Sequence, residues 1–320
     1  MGQEIDELFN TPEGCDLVVE NVDGRIEITG WDTPQTRVVA VKHSDRPRVE
    51  ITQDGRKVIA RTHLEHGFLN WFKSNGAVDY TIYVPHQSNV KVRHVNGPTH
   101  IVQIDGFLDL DGVNGSIYAG QIDGKVQIHT VSGSVSVEAL CGSAQLNAVN
   151  GKLEVKESAL RSLSGETVNG EIQIHATLNP EGHYHLKTVN GSCILSVQDN
   201  LYARVSANGI NMSVSTSLPT QSVEKHFGHW RGIIGSGDGP QAEICFETVN
   251  GSLQINNGHQ IDVGVPSAPP TPPTPDFEPI TVKVEGKTSP QGPKTKTEVL
   301  EMIERGEITV EEALKLLEKL

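Results

Sequence analysis

The sequence predicts an all-β solenoid (β-helix) with about 18 residues per coil, an N-terminal β cap and a small C-terminal helical hairpin. Three observations predict it. A glycine returns every nine residues through VNGSIYAGQIDGKVQIHTVSGSVSVEALCGSAQLNAVNGKLEV, Val113 to Val155. The residues after each glycine alternate between apolar and polar, the period of a half-buried strand. Aromatics make up only 5% of the 320 residues while there are 32 glycines, which suits thin repetitive β-structure better than one thick core.

Aligned on glycine, the units begin Val95-Asn96-Gly97, Ile104-Asp105-Gly106, Val113-Asn114-Gly115, Ile122-Asp123-Gly124, Val131-Ser132-Gly133, Leu140-Cys141-Gly142 and Val149-Asn150-Gly151. Position one is always apolar. Position five reads Thr99, Leu108, Ile117, Val126, Val135, Ala144 and Leu153, and position seven Ile101, Leu110, Ala119, Ile128, Val137, Leu146 and Val155. Between them lie polar residues such as His100, Asp109, Gln127, Ser136, Gln145 and Glu154. Each unit is therefore a short strand plus a sharp turn. Glycine enters the left-handed region without a Cβ clash, and Asn or Asp bonds its own backbone two residues on.

The corners alternate in kind. Asn96, Asn114 and Asn150 share one phase with Ser132; Asp105 and Asp123 share the other with Cys141. A two-cornered coil stacks Asn on Asn along one edge, where an amide ladder can form, and Asp on Asp along the other. Stacked aspartates repel unless turn N–H groups, solvent or a cation compensate. Asn-Gly between apolar runs is also a hairpin signal, so a meander of hairpins is the rival. Fixed unit length favours stacked coils, and a lone coil is too near energetic balance to fold without neighbours.

Four segments follow: a β region over 1–94 that caps the solenoid, repeats over 95–258, a Pro-rich linker over 259–296 and a helical hairpin over 297–320. In the first, Val22-Asp23-Gly24-Arg25-Ile26-Glu27-Ile28 already matches the unit. Arg48–Arg61 reads as a hairpin turning at Asp54-Gly55, and Ala77–Val92 as two strands joined near Pro85. Beyond Gly151 the period loosens, with corners at Val168-Asn169-Gly170, Val189-Asn190-Gly191, Ala207-Asn208-Gly209 and Val249-Asn250-Gly251. After the third, the apolar residues Ile210, Met212 and Val214 are shifted by one, and the fourth closes the series after an excursion.

That excursion, SLPTQSVEKHFGHWRGIIGSGDG, holds Phe227 and Trp230 flanked by His226 and His229. It reads either as a projecting binding loop or as a flap packed on the solenoid. GSGDG lacks the Lys of a phosphate loop and reads as a turn. In the linker, SAPPTPPTP and SPQGPKTK read as a semi-rigid spacer, interrupted by a short strand at Ile280–Val284. The final stretch shifts to a helical period. Leu300 and Ile303 line one helix ending at Gly306; Thr309 with Glu312 forms a capping box, and Leu314 and Leu317 line a second helix. So small a hairpin needs a protein partner, self-association or docking on the solenoid.

The net charge of −14 argues against nucleic acid as partner, and the acidity extends through the repeats, with 8 Lys/Arg against 15 Asp/Glu from Val95 to Gly258. Cys15, Cys141, Cys193 and Cys245 form no C-x-x-C pair and read as small packing positions. No apolar signal segment or membrane-spanning stretch is visible, and Asp6 disfavours myristoylation at Gly2, so a cytoplasmic protein is the expectation, with membrane or surface association open. No cofactor or metal is expected: the units lack the G-G-x-G-x-D of calcium-binding nonapeptides. His183 and His185 can share a strand face but no third ligand is evident nearby, and His63 and His66 read as surface residues. No catalytic residues are evident. Neither G-x-S-x-G nor HExxH occurs, and the Asp109–Asp111 pair has no basic partner recurring at the coil offset.

The repeated VNG corners, with ETVNGSLQI after a glycine-rich GSGDGP, resemble the bacterial "putative adhesin" β-strand-repeat family over roughly Val18 to Ile255. The tail VLEMIERGEITVEEALKLLEKL resembles the small helical motif of LiaX- and YvlB-type proteins, where it commonly precedes the repeats. The resemblance implies a right-handed solenoid, no catalysis, and a link to cell-envelope stress sensing or surface interaction. The expected function is a non-enzymatic interaction scaffold; the alternative is a structural protein that forms filaments through its solenoid ends.

Overall fold

In the computed structural model, residues 3–64, 76–237, 239 and 241–258 are described. The linker strand and the helical hairpin with Leu300, Ile303, Leu314 and Leu317 lie outside them, as does His66. The described residues are all-β, with no helix. In chain order the strands are β1 (Gln3–Asn10), β2 (Asp16–Asp23), β3 (Ile26–Trp31), β4 (Gln35–Lys42), β5 (Pro47–Asp54), β6 (Lys57–Leu64), β7 (Val78–Pro85), β8 (Asn89–Asn96), β9 (Thr99–Asn114), β10 (Ile117–Ser132), β11 (Val135–Asn150), β12 (Leu153–Asn169), β13 (Ile172–Val197), β14 (Ala203–Thr216), β15 (Thr220–His226), β16 (His229–Ile234) and β17 (Ala242–Asn257). Together they form one 17-stranded sheet.

Strands β9 to β12 pair in parallel, and residues eighteen apart are partners: Thr99 with Ile117, Ile117 with Val135, Asp105 with Asp123, Asn114 with Ser132. A meander of hairpins would pair these strands antiparallel. Where a unit is longer, the surplus is absorbed at register shifts, beside Gly142/Ser143 and between Leu160 and Ser162, so that Asn150 still meets Asn169 and Asn169 still meets Asn190. Every apolar residue at positions five and seven of the seven units is buried. Alternation thus places one row inside and the next outside, as the period-two pattern requires.

The asparagine corners stack as the sequence implies. Asn114 donates to Asn96 at 3.1 Å, Asn169 to Asn150 at 3.1 Å and Asn190 to Asn169 at 3.1 Å. The ladder continues with Asn250 donating to Asn190 at 3.0 Å and Asn211 to Asn250 at 2.8 Å. Ser132 interrupts it between Asn114 and Asn150. Glycine is demanded here twice over. Gly115 and Gly133 have φ of 146° and 135°, and a Cβ on Gly133 would run into the carbonyl oxygen of Gly115.

The other corner differs from expectation. Here Gln103, Gln121 and Ala139, with φ between 53° and 64°, are left-handed two residues ahead of the Asp-Gly or Cys-Gly pair, as is Glu157 (φ 47°) in β12, and Gly124 and Gly142 also have positive φ, 145° and 153°. Gly106 does not adopt a left-handed φ, and Asp105-Gly106 and Asp123-Gly124 lie in register within β9 and β10. The chain turns first at the left-handed residues, while Gly124 and Gly142 behave as the sequence implies, a Cβ on each being excluded by the carbonyl oxygens of Gly106 and Gly124.

The ends are threaded out of sequence order. β2 lies between β6 and β8, and β3 between β7 and β9, all in parallel. At the other end β17 inserts between β13 and β14. The corner at Ala207-Asn208-Gly209 is therefore a misreading: Asn211, not Asn208, pairs with Asn250, which accounts for the one-residue shift. Nor does Val249-Asn250-Gly251 close the stack in space. Antiparallel strands finish both ends: β4 and β1 beyond β7, β5 beyond β6, and the β15–β16 hairpin beyond β14. The β5–β6 hairpin turns at Gly55 (φ 59°), as predicted.

Cys15 and Cys193 are fully buried, matching the packing role expected of them; Cys141 is exposed and Cys245 half-buried, which it does not fit. His94 is also buried, 4% exposed, with Nδ1 2.9 Å from the Thr99 hydroxyl. Burial pushes its imidazole below the ordinary histidine range, against smaller opposing contributions from the Asn96 backbone and Asp23.

Two predictions follow from these contacts. Gly133→Ala meets both the left-handed φ and the Gly115 carbonyl, whereas Gly55→Ala meets open space and only the φ cost. Urea unfolding should show a loss of about 3 kcal/mol for the first and about 1 kcal/mol for the second. For His94, the folded state holds the neutral form while the unfolded chain takes a proton below about pH 6.5. Stability is then fully present above that pH and falls as pH drops toward the depressed folded value. His94→Gln should flatten this part of the profile of unfolding midpoint against pH.

Candidate functional site

The excursion is a hairpin laid on the terminal strand. Trp230 faces Ala207 in the antiparallel β14–β16 pair and is 6% exposed, so it packs. Phe227 occupies the turn and is 90% exposed. His226 pairs with His229 across the hairpin, and His229 Nδ1 lies 2.8 Å from Asn208 Oδ1. The four predicted residues are thus close in space but divided in role. Trp230 anchors the flap, and Phe227 is its exposed tip.

A second surface emerges only from the stacking. Position one of the units splits by corner type. Ile104, Ile122 and Leu140, ahead of Asp or Cys, are buried; Val113, Val131, Val149 and Val168, ahead of Asn or Ser, are 39–45% exposed. Their neighbours are in register, since Thr130 pairs with Ala148 and Ser132 with Asn150. The valines therefore form an exposed aliphatic row beside the asparagine ladder, continued by Val249 and Ile210. The signal was present in the sequence, because these valines precede only Asn or Ser. Apolar character alone did not reveal that they face outward.

This row walls a shallow trough of about 560 Å³. Thr130, Ala148 and Thr167 line it as well, with the polar residues His129, Asn147, Glu166 and Lys187. Asn147 and His129 are bonded at 3.0 Å. The Thr130 and Thr167 hydroxyls and Asn147 Oδ1 are buried without a hydrogen-bond partner among the described residues. An aliphatic row beside polar side chains is the composition of a recognition site.

The Asp109–Asp111 pair, expected to lack a basic partner, has one at the repeat offset. Lys91 Nζ lies 2.6 Å from Asp109 and Arg93 Nε 3.9 Å from Asp111, both from β8. His63 is half-buried at the surface and bonded to Glu50 at 2.9 Å. Among the described residues, no helix is long and apolar enough to cross a membrane.

Comparison with known proteins gives one family match, a SHOCT-like domain at residues 295–320. No curated protein sequence matches the chain. Among solved structures, it is similar to a "putative adhesin" from Parabacteroides merdae, at 11% identity over 79% of this chain and 96% of that one, with a TM-score of 0.46. A "putative adhesin" from Bacteroides fragilis matches at 12% identity over 79% and 97%, with a TM-score of 0.41. A "putative lipid binding protein" from Parabacteroides distasonis matches at 11% identity over 80% and 96%, with a TM-score of 0.24.

The hairpin division is testable. Trp230→Ala should cost about 3 kcal/mol in chemical unfolding, as removal of a buried ring does. Phe227→Ala should stay within about 0.5 kcal/mol of the parent, as for exposed positions.

Proposed function

We propose that this protein is a non-enzymatic interaction scaffold, a right-handed β-solenoid of about 18 residues per coil whose valine-walled trough holds an extended segment of a protein partner. The observation that carries this reading is the exposed aliphatic row beside polar side chains, repeated at every second corner. Among the described residues nothing covers this row, and contiguous exposed apolar surface marks contact sites. The C-terminal SHOCT-like segment supplies a second attachment, to the same partner or to another copy. Envelope-stress sensing or adhesion-like binding is the setting that the family resemblance supplies. No cofactor belongs to this reading. The carboxylate pair nearest to a catalytic arrangement is tied to Lys91 and Arg93.

The filament alternative has less support. The end strand β1 carries Glu4, Asp6 and Glu7, and Glu7 lies on the same side as the core-facing Ile5 and Phe9. Burial raises its carboxyl above the usual range. A charge on the inward row of an edge strand opposes strand addition. At the other end β15, with all seven residues exposed, carries Glu224 and Lys225.

A pull-down with the full chain tests the proposal. Val131→Lys with Val149→Lys should abolish capture of a partner while shifting stability by no more than about 0.5 kcal/mol per site. Deleting residues 297–320 should weaken the same capture without eliminating it. Capture unchanged by the two lysines would remove the trough from the function.

A further inference from the structure

We propose that His185, Cys245 and Glu247 bind a zinc-class divalent metal ion on the outer face of β13 and β17. The insertion of β17 next to β13 makes the site. His185 and Cys245, 245 − 185 = 60 residues apart in the chain, become register partners, and Glu247 lies two residues further along the same face of β17. Their inward neighbours Tyr184, Leu186, Ile244 and Phe246 are buried, so the backbone under the site is held on both strands. An imidazole nitrogen, the thiol sulfur and a carboxylate oxygen all lie within 4.8 Å of one another. Tetrahedral zinc, with bonds of about 2.0–2.3 Å, needs ligand atoms about 3.5 Å apart. Small side-chain rotations close that difference.

A second observation points the same way. All three side chains are half-buried, yet none has a hydrogen bond or ion pair to another described residue. The neighbouring His183 is occupied, its Nδ1 3.3 Å from Glu243. That leaves His185 as the free imidazole of the two. The donor set selects the ion: sulfur and nitrogen favour zinc over magnesium or calcium, which take oxygen. Binding displaces the Cys245 proton to solvent and leaves a thiolate on the metal. Three protein donors leave one tetrahedral position for water. The register partner of Glu247 is Lys187, which also lines the trough, so this position lies beside its end.

Cobalt(II) reports the site directly, because a thiolate ligand gives a near-ultraviolet charge-transfer band. Titrating the chelator-treated full-length protein with Co²⁺ should produce that band and saturate at one ion per chain. Cys245→Ser should abolish the band, whereas Cys141→Ser, which removes the exposed thiol, should leave it. His185→Ala and Glu247→Gln should each weaken Co²⁺ binding by at least about tenfold, with far-UV circular dichroism unchanged. Zn²⁺ should raise the thermal midpoint of the parent and not of Cys245→Ser. A band that survives in Cys245→Ser, affinity unchanged in His185→Ala and Glu247→Gln, or no saturable cobalt binding would overturn the assignment.

Discussion

Each corner on the asparagine side rests its glycine against the backbone of the corner before it, and this approach leaves no room for a Cβ. The demand reaches beyond conformation. Gly170, Gly191 and Gly251 do not adopt a left-handed φ, yet an added Cβ at each would still meet the carbonyl oxygen of the preceding corner. The same approach lets the glycine N–H donate across the stack, as Gly97 does to Asn114 and Gly133 to Asn150. With the corners locked together, the asparagine amides fall into line and bond in one direction. The corner backbone thereby finds its hydrogen-bond partner in the next repeat.

Stacking also decides what the side chains do. At the second corner a left-handed Gln121 or Ala139 stands directly before Ile122 or Leu140, which are buried, whereas Val131 and Val149 have no such residue before them and are exposed. Because all repeats share one register, a single outward valine becomes a continuous row, and a single outward polar position becomes a wall. Repetition therefore converts one exposed residue into an extended surface, the usual geometry by which stacked-repeat proteins bind partners. The terminal strands protect this arrangement, since antiparallel edges bearing charge do not extend a parallel stack.

The threading at the two ends brings distant residues together. Parallel strands can be inserted wherever hydrogen-bonding groups are open, and β17 takes the place between β13 and β14 that sequence order would deny it. The chain then closes long loops before those contacts form, an entropic cost carried by the ends and not by the regular centre. In return, His185 gains Cys245 and Glu247 as neighbours, and Trp230 gains Ala207 to pack against.

What the residues determined by themselves was local and periodic. The nine-residue beat, the alternation at positions five and seven and the Asn phase set eighteen-residue parallel pairing and the amide ladder, because each depends only on chain geometry within one repeat and its copy. The hairpin at Gly55 was legible for the same reason. Tertiary structure decided the rest. That Gln103 and Gln121 turn the second corner, that Asn211 replaces Asn208 in the ladder, and that Lys91 reaches Asp109 depend on which strand lies beside which. Spacing along the chain carries periodicity, but it does not carry insertion order. Only the assembled sheet brings together residues that are remote in sequence, and in this protein the trough and the proposed metal site consist of such residues.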